Sequence, residues 1–212
     1  MNNFDIKNFE PVIVNNFLSE EHIKNIIEEF YNKIKDNLKN NKNKYSDFKI
    51  NEKMGMFMHE VEAKNNPELF KYMEIRLKEV FGIELSQPSY SLQYLRYSPE
   101  TGFEPHVRPH VDRVDKEQPH MIAFSLSINN ANSEPWSMYI NKTKFDLKDH
   151  DALFFNATND LHWRPSRKFS GEDYFDVLVF RFYDNASRVL LSENLQKKLE
   201  EQRIDLFLNS YY

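Results

Sequence analysis

The chain has 212 residues, with 28 Lys and Arg against 33 Asp and Glu and a formal net charge of −5. A length of this order fits one domain with extensions, and the mild acidity argues against a partner that is chiefly a phosphate backbone. There is no cysteine, which excludes a disulfide framework, a thiolate zinc site, an iron–sulfur cluster and a cysteine nucleophile. Any metal must therefore be held by carboxylates and by the seven histidines.

In chain order, the opening stretch lacks a charged segment followed by an apolar core, and no run approaches the 18 apolar residues of a membrane span. A cytoplasmic protein with no membrane partner is expected. A short apolar run at 11–14 precedes a helix expected over 19–39, with Ser19 as N-cap and Ile23, Ile26, Ile27, Phe30, Ile34 and Leu38 at helical spacing. The Asn/Lys-rich stretch 37–53 has no period and reads as a surface loop. A second helix is signalled by Asn66, Pro67, the stripe Leu69, Phe70, Met73, Leu77, Val80 and Phe81, and a closing Gly82.

Beyond Pro88 the texture changes to short runs rich in Tyr, Phe, Ile and Val, expected as strands at 90–97, 121–128, 136–140, 144–147, 152–155 and 174–183. Strands without intervening helices imply an antiparallel sandwich or barrel. A terminal helix is expected over 192–208. The whole reads as one domain, mainly β with flanking helices (α+β): a helical part at 1–88, a β core at 89–185 and a C-terminal helix from 186 to 212.

The run GFEPHVRPHVDRVD places His110 and Asp112 two residues apart. On an extended segment residues i and i+2 point the same way, about 6.6 Å apart, so imidazole and carboxylate can converge on one ion. About fifty residues later the apolar strand in LKDHDALFFNATNDLHWRPSR leads to His162. Two histidines and one carboxylate form a facial set of the kind used by non-haem Fe(II) oxygenases. Zinc can use the same ligands, which keeps a zinc hydrolase open.

Four segments now carry a resemblance. PVIVNNFLSEEHIKNII, LQYLRYSPETGFEPHVRPHVD, LKDHDALFFNATNDLHWRPS and YFDVLVFRFYD together resemble the Fe(II)/2-oxoglutarate-dependent dioxygenase superfamily, in its prolyl-4-hydroxylase-like branch. The resemblance implies a double-stranded β-helix (a cupin-like jelly roll) with the N-terminal helices packed on the sheet. It also implies Fe(II) held by His110, Asp112 and His162, 2-oxoglutarate as cosubstrate, Tyr97 beside it, dioxygen as co-reactant and ascorbate as an accessory candidate. The intact Asp112 separates the chain from halogenases of that superfamily and makes hydroxylation the expected outcome.

The chain departs from the family pattern in two places. The interval from Tyr97 to His110 is longer than usual, which brings in His106; that residue is followed two positions later by Arg108 instead of a carboxylate. Glu172 stands where the family places a basic residue for the far carboxylate of 2-oxoglutarate. Arg181, a charge inside the apolar run 177–182, leads as the replacement because a buried guanidinium demands an anionic partner; Arg164, two residues past His162, comes second. Arg108 and Arg113 flank the H-x-D pair and, with Trp163 as a pocket wall, suggest a small carboxylate-bearing substrate, an amino acid or a peptide, and no nucleic acid. A non-catalytic 2-oxoglutarate- or metal-binding module and a cupin-like zinc enzyme are the competing readings.

Overall fold

The architecture was obtained as a computed structural model, which describes residues 9–22, 24, 28, 32, 48–61, 64, 66–82, 91–112, 121–130 and 134–183. Eleven strands fall among these residues: β1 Val12–Val14, β2 Phe48–Asn51, β3 Met56–Val61, β4 Ser91–Tyr97, β5 Val107–His110, β6 Met121–Asn130, β7 Met138–Ile140, β8 Thr143–Phe145, β9 Ala152–Asn156, β10 His162–Arg164 and β11 Phe175–Tyr183. Helix α1 spans Pro67–Phe81 between β3 and β4. A seven-stranded sheet in the order β1-β9-β6-β11-β4-β3-β2 faces a four-stranded sheet in the order β5-β10-β7-β8, and every pairing is antiparallel. No described helix is long and apolar enough to cross a membrane.

Strand alternation divides the large sheet into two faces with different work. On one face Phe57 and Val61 of β3, Leu92 and Tyr94 of β4, and Leu178, Phe180 and Phe182 of β11 are buried in one cluster with Leu69, Phe70, Met73 and Leu77 of α1. Each such side chain contributes roughly 1.5–3 kcal/mol by leaving water, so the helix is fixed to this face by its apolar stripe. Residues of the opposite parity, Met56, Met58, Gln93, Leu95, Tyr97, Val177, Val179 and Arg181, line a cavity between the sheets.

Helix α1 begins with Pro67 in its first turn and ends at Gly82, whose φ of 68° is left-handed and whose N–H donates to the Lys78 carbonyl at 2.9 Å. Its sequence signals were sufficient. The Ser19 hydroxyl accepts from the His22 N–H at 3.4 Å, as an N-cap does, but most of the helix expected from Ser19 lies outside the described residues, as do the expected C-terminal helix, Arg113 and Ile34.

The structure corrects the reading of 37–53 as loop throughout. Phe48–Asn51 is the edge strand β2, paired with β3. The FKIN alternation is only four residues long, too short to read as a strand alone, and its order comes from pairing with β3. Gly55 closes this hairpin at φ 60° beside the chain at 103–105, where an added Cβ would lie 2.8 Å from the Pro105 nitrogen. The His106 N–H donates to the Met54 carbonyl at 3.2 Å. The hairpin is thereby seated against the segment that enters β5.

Candidate active site

Strands β5 and β10 are neighbours in the small sheet, and their register puts His162 directly opposite His110. Cross-strand partners hold their side chains close on one face, and the two imidazole rings are 4.2 Å apart between centroids. Between His110 and Val107 the pairing slips by one residue, a bulge at a strand containing Pro109, which has no N–H to give to a ladder. Asp112 leaves the strand just beyond, anchored by its backbone N–H to the Ala157 carbonyl at 2.8 Å.

Each histidine is oriented by its own chain. The His110 Nδ1 lies 2.7 Å from the Arg108 carbonyl and the His162 Nδ1 2.9 Å from the Asp160 carbonyl. A carbonyl only accepts, so the proton of each neutral ring sits on Nδ1 and the Nε2 lone pair faces inward. Those nitrogens approach Asp112 Oδ1 at 3.2 Å from His110 and 3.6 Å from His162.

Burial, reinforced by the neighbouring His110, pushes the His162 pKa down despite the opposing pull of Asp112. Burial works against the Asp112 charge, yet its polar neighbours His110, His162 and Arg181 outweigh it and hold the carboxyl well below the usual range. With both histidine protons on Nδ1, two lone pairs and a carboxylate oxygen converge with no donor of their own between them. Among the described residues this is the one His/Cys/Asp/Glu group whose ligand atoms all lie within 4.8 Å of one another. Its donor set fits a divalent cation with open positions.

The cavity beside this set measures about 330 Å3. Arg164 is 3% exposed and lies at its buried end. Two residues along β10 from His162, it shares that residue's face and crosses the gap between the sheets: Nη1 donates to the Trp136 carbonyl, Nη2 to the Ser125 hydroxyl at 3.4 Å, and the guanidinium carbon sits 4.5 Å from the Phe175 ring centre. Among the described residues it has no carboxylate within ion-pair distance. Burial brings its pKa down to about 10, against a countering contribution from Tyr97. Tyr97, buried between Trp136 and Phe175, is pushed up to about 12 by burial and keeps its proton.

Arg181 is placed differently. Its side chain is 26% exposed, at the more open end, with Nε donating to Asp112 Oδ2 at 2.9 Å and Nη1 to Gln93 Oε1 at 2.9 Å. The buried-charge reasoning for an anionic partner holds, and that partner is Asp112. Trp163 corrects the expectation of a pocket wall: lying between His162 and Arg164, it turns to the opposite face and stacks on Tyr139, with ring centres 5.2 Å apart. Arg108 is exposed, and Arg167 donates to the Glu134 carbonyl, away from the cavity. His106 bonds to the Glu104 carbonyl and does not join the ligand set.

Several residues absent from the expected site belong to it. Met54, Met56 and Met58 line the cavity from the β2–β3 hairpin, with Asn51, Gln93 and Ser125 as its uncharged polar groups. The run MFMHEV does not alternate, and nothing local singled out Met56, Met58 or Ser125.

The antiparallel sandwich that holds this cluster and cavity is similar in fold to solved prolyl hydroxylases. They include a Pseudomonas putida prolyl-4-hydroxylase, 11% identical, with a TM-score of 0.59 over 85% of this chain and 96% of the other. The viral collagen prolyl hydroxylase of Paramecium bursaria Chlorella virus-1, solved as a 2-oxoglutarate complex, is 15% identical, with a TM-score of 0.56 over 84% of this chain and 99% of the other. A Trichoplax adhaerens prolyl hydroxylase, in complex with a peptide fragment of the hypoxia inducible factor oxygen degradation domain, is 13% identical, with a TM-score of 0.57 over 89% and 90%. No protein-family model and no curated protein matches the sequence.

Proposed function

We propose that the protein is an Fe(II)- and 2-oxoglutarate-dependent oxygenase that hydroxylates a small carboxylate-bearing substrate, an amino acid or a peptide. One observation carries the reading: a His/Asp/His set and a buried guanidinium with no carboxylate partner among the described residues share a single cavity. Either alone is common. Together they match the two ends of an α-keto diacid.

His110, Asp112 and His162 would hold the ferrous ion, and Arg164, with Ser125 and Tyr97 nearby, would receive the far carboxylate of 2-oxoglutarate. When bound, the iron with its cosubstrate supplies the oxidation: 2-oxoglutarate, dioxygen and a substrate C–H give succinate, carbon dioxide and a substrate C–OH. The protein's own residues do the rest. Arg164 offers a charge already stripped of water, so an anion gains more from it there than at the surface. Tyr97 remains a protonated donor beside that charge. Met54, Met56, Met58, Val107 and Val179 give an apolar wall that excludes water and suits the hydrocarbon part of a substrate. Exposed Arg108, two residues before His110 on β5, would offer a charge to a substrate carboxylate. The Trichoplax neighbour, crystallised with a peptide, supports a peptide as one member of the substrate class.

The test is succinate release from 2-oxoglutarate with Fe(II), across a panel of amino acids and short peptides. Turnover should require both iron and 2-oxoglutarate, and His110→Ala or Asp112→Ala should abolish it with the fold retained. Tight zinc binding with an activity indifferent to iron and 2-oxoglutarate would contradict the proposal.

A further inference from the structure

Arg181 is engaged in a way that cosubstrate binding does not explain. Its guanidinium forks between two partners, Asp112 Oδ2 through Nε and Gln93 Oε1 through Nη1, each at 2.9 Å. Gln93 in turn donates from Nε2 to Glu60 Oε1 at 2.6 Å, and Glu60 is the residue directly opposite it across β3 and β4. The orientation of the Gln93 amide follows from this pairing, because a guanidinium needs an acceptor and a carboxylate needs a donor. Glu60, Gln93, Arg181 and Asp112 thus form one hydrogen-bonded chain from the exposed Glu60 to the His/Asp/His set.

The consequence falls on Asp112. One of its oxygens, Oδ1, faces the two histidine Nε2 atoms at 3.2 and 3.6 Å, while the other is held by Arg181. Arg181 comes from β11 of the large sheet and Asp112 from the segment after β5 of the small one, so the contact fixes the carboxylate across the sandwich. A carboxylate with both oxygens free can take two positions on a cation; one with Oδ2 occupied offers only one. From this geometry we infer that Arg181 is a positioning residue that keeps Asp112 a one-oxygen ligand, leaving three positions of a six-coordinate ion for cosubstrate and dioxygen, and that Gln93 and Glu60 hold Arg181 in place.

The inference rests on the metal-site reading above and is tested without turnover, using Mn(II) alone as probe. Water-proton relaxation counts the exchangeable waters on bound Mn(II). Wild type should show about three, and Arg181→Met about two, a fall of roughly one third per bound ion, because Asp112 can then close on the metal with both oxygens. Arg181→Lys, which can still reach Oδ2, should restore the wild-type value, and Arg164→Met should leave it unchanged. Where Arg181→Met does not fold, Gln93→Leu keeps the guanidinium but removes its support, and a smaller fall in the same direction is expected. Unchanged relaxation in Arg181→Met, or in Gln93→Leu as its substitute, overturns the inference. If that unchanged relaxation comes with a large loss of 2-oxoglutarate affinity, Arg181 is the cosubstrate anchor instead. Wild-type protein that binds no Mn(II) at His110, Asp112 and His162 sinks the metal-site reading itself, and the inference with it.

Discussion

Two buried arginines lie on opposite faces of the large sheet, and their partners differ. Arg96, 4% exposed, stands directly opposite Asp176 across β4 and β11 and meets it with two hydrogen bonds, Nε to Oδ1 at 2.6 Å and Nη2 to Oδ2 at 2.5 Å. Burial works against this charge, but the bonds and charge of Asp176 outweigh it and hold Arg96 above its ordinary value. Arg164 is buried as deeply on the cavity side, with a carbonyl, a hydroxyl and aromatic faces around it, and its pKa is depressed. A buried ion costs several kcal/mol unless it is paired. One arginine closes its charge within the fold; the other has no carboxylate within ion-pair distance among the described residues, as the proposed anchor for an anionic ligand would.

The largest effect should come from breaking the closed pair. Asp176→Ala leaves Arg96 buried without its carboxylate and should lower unfolding free energy by about 3–5 kcal/mol in a urea titration. Arg96→Met combined with Asp176→Leu should recover most of that loss, since an apolar pair of similar volume replaces both charges. A loss in the double variant as large as in the single one would mean that the face depends on the charges themselves.

Next in size is the response of the open site. Mn(II) with 2-oxoglutarate at about 100 times its dissociation constant should stabilise wild type by about 2.7 kcal/mol, read as a rise in Tm. Arg164→Met at the same concentrations should show a small part of that rise, and Asp176→Ala the full rise from a lower starting Tm. The smallest effect tests the open site in isolation: without ligands, Arg164→Met should change stability by no more than about 1 kcal/mol, because no ion pair is lost and a buried charge is removed. A large loss there would show that Arg164 is structural after all.

Much of the convergence of His110, Asp112 and His162 was legible in the sequence because its information is local. His110 and Asp112 share a face by the two-residue period of an extended chain, and an apolar strand delivers His162. Helix α1 was equally local, with proline at one end and glycine at the other. The same period was enough to turn Trp163 away from the pocket, since it sits one residue from His162. The order of Arg181 and Arg164 was not local. Both lie on inward-facing parity of their strands, and only register shows Arg181 reaching Asp112 while Arg164 crosses to Ser125. Strands β2 and β3 escaped for a related reason: both lie in the part read as helical, and it is their pairing with each other and with β4 that orders them.

Arg164 and the His/Asp/His set line one cavity and are proposed as the two ends of one site. Isothermal titration of 2-oxoglutarate into Mn(II)-loaded wild type and Arg164→Met tests it directly. The prediction is one molecule bound per chain in wild type, only with metal present, and an affinity weaker by about 100-fold or more in Arg164→Met, since each bond of a charge-assisted bidentate contact is worth about 1.5–3 kcal/mol. Equal affinity in the two proteins, or binding indifferent to metal, would contradict it.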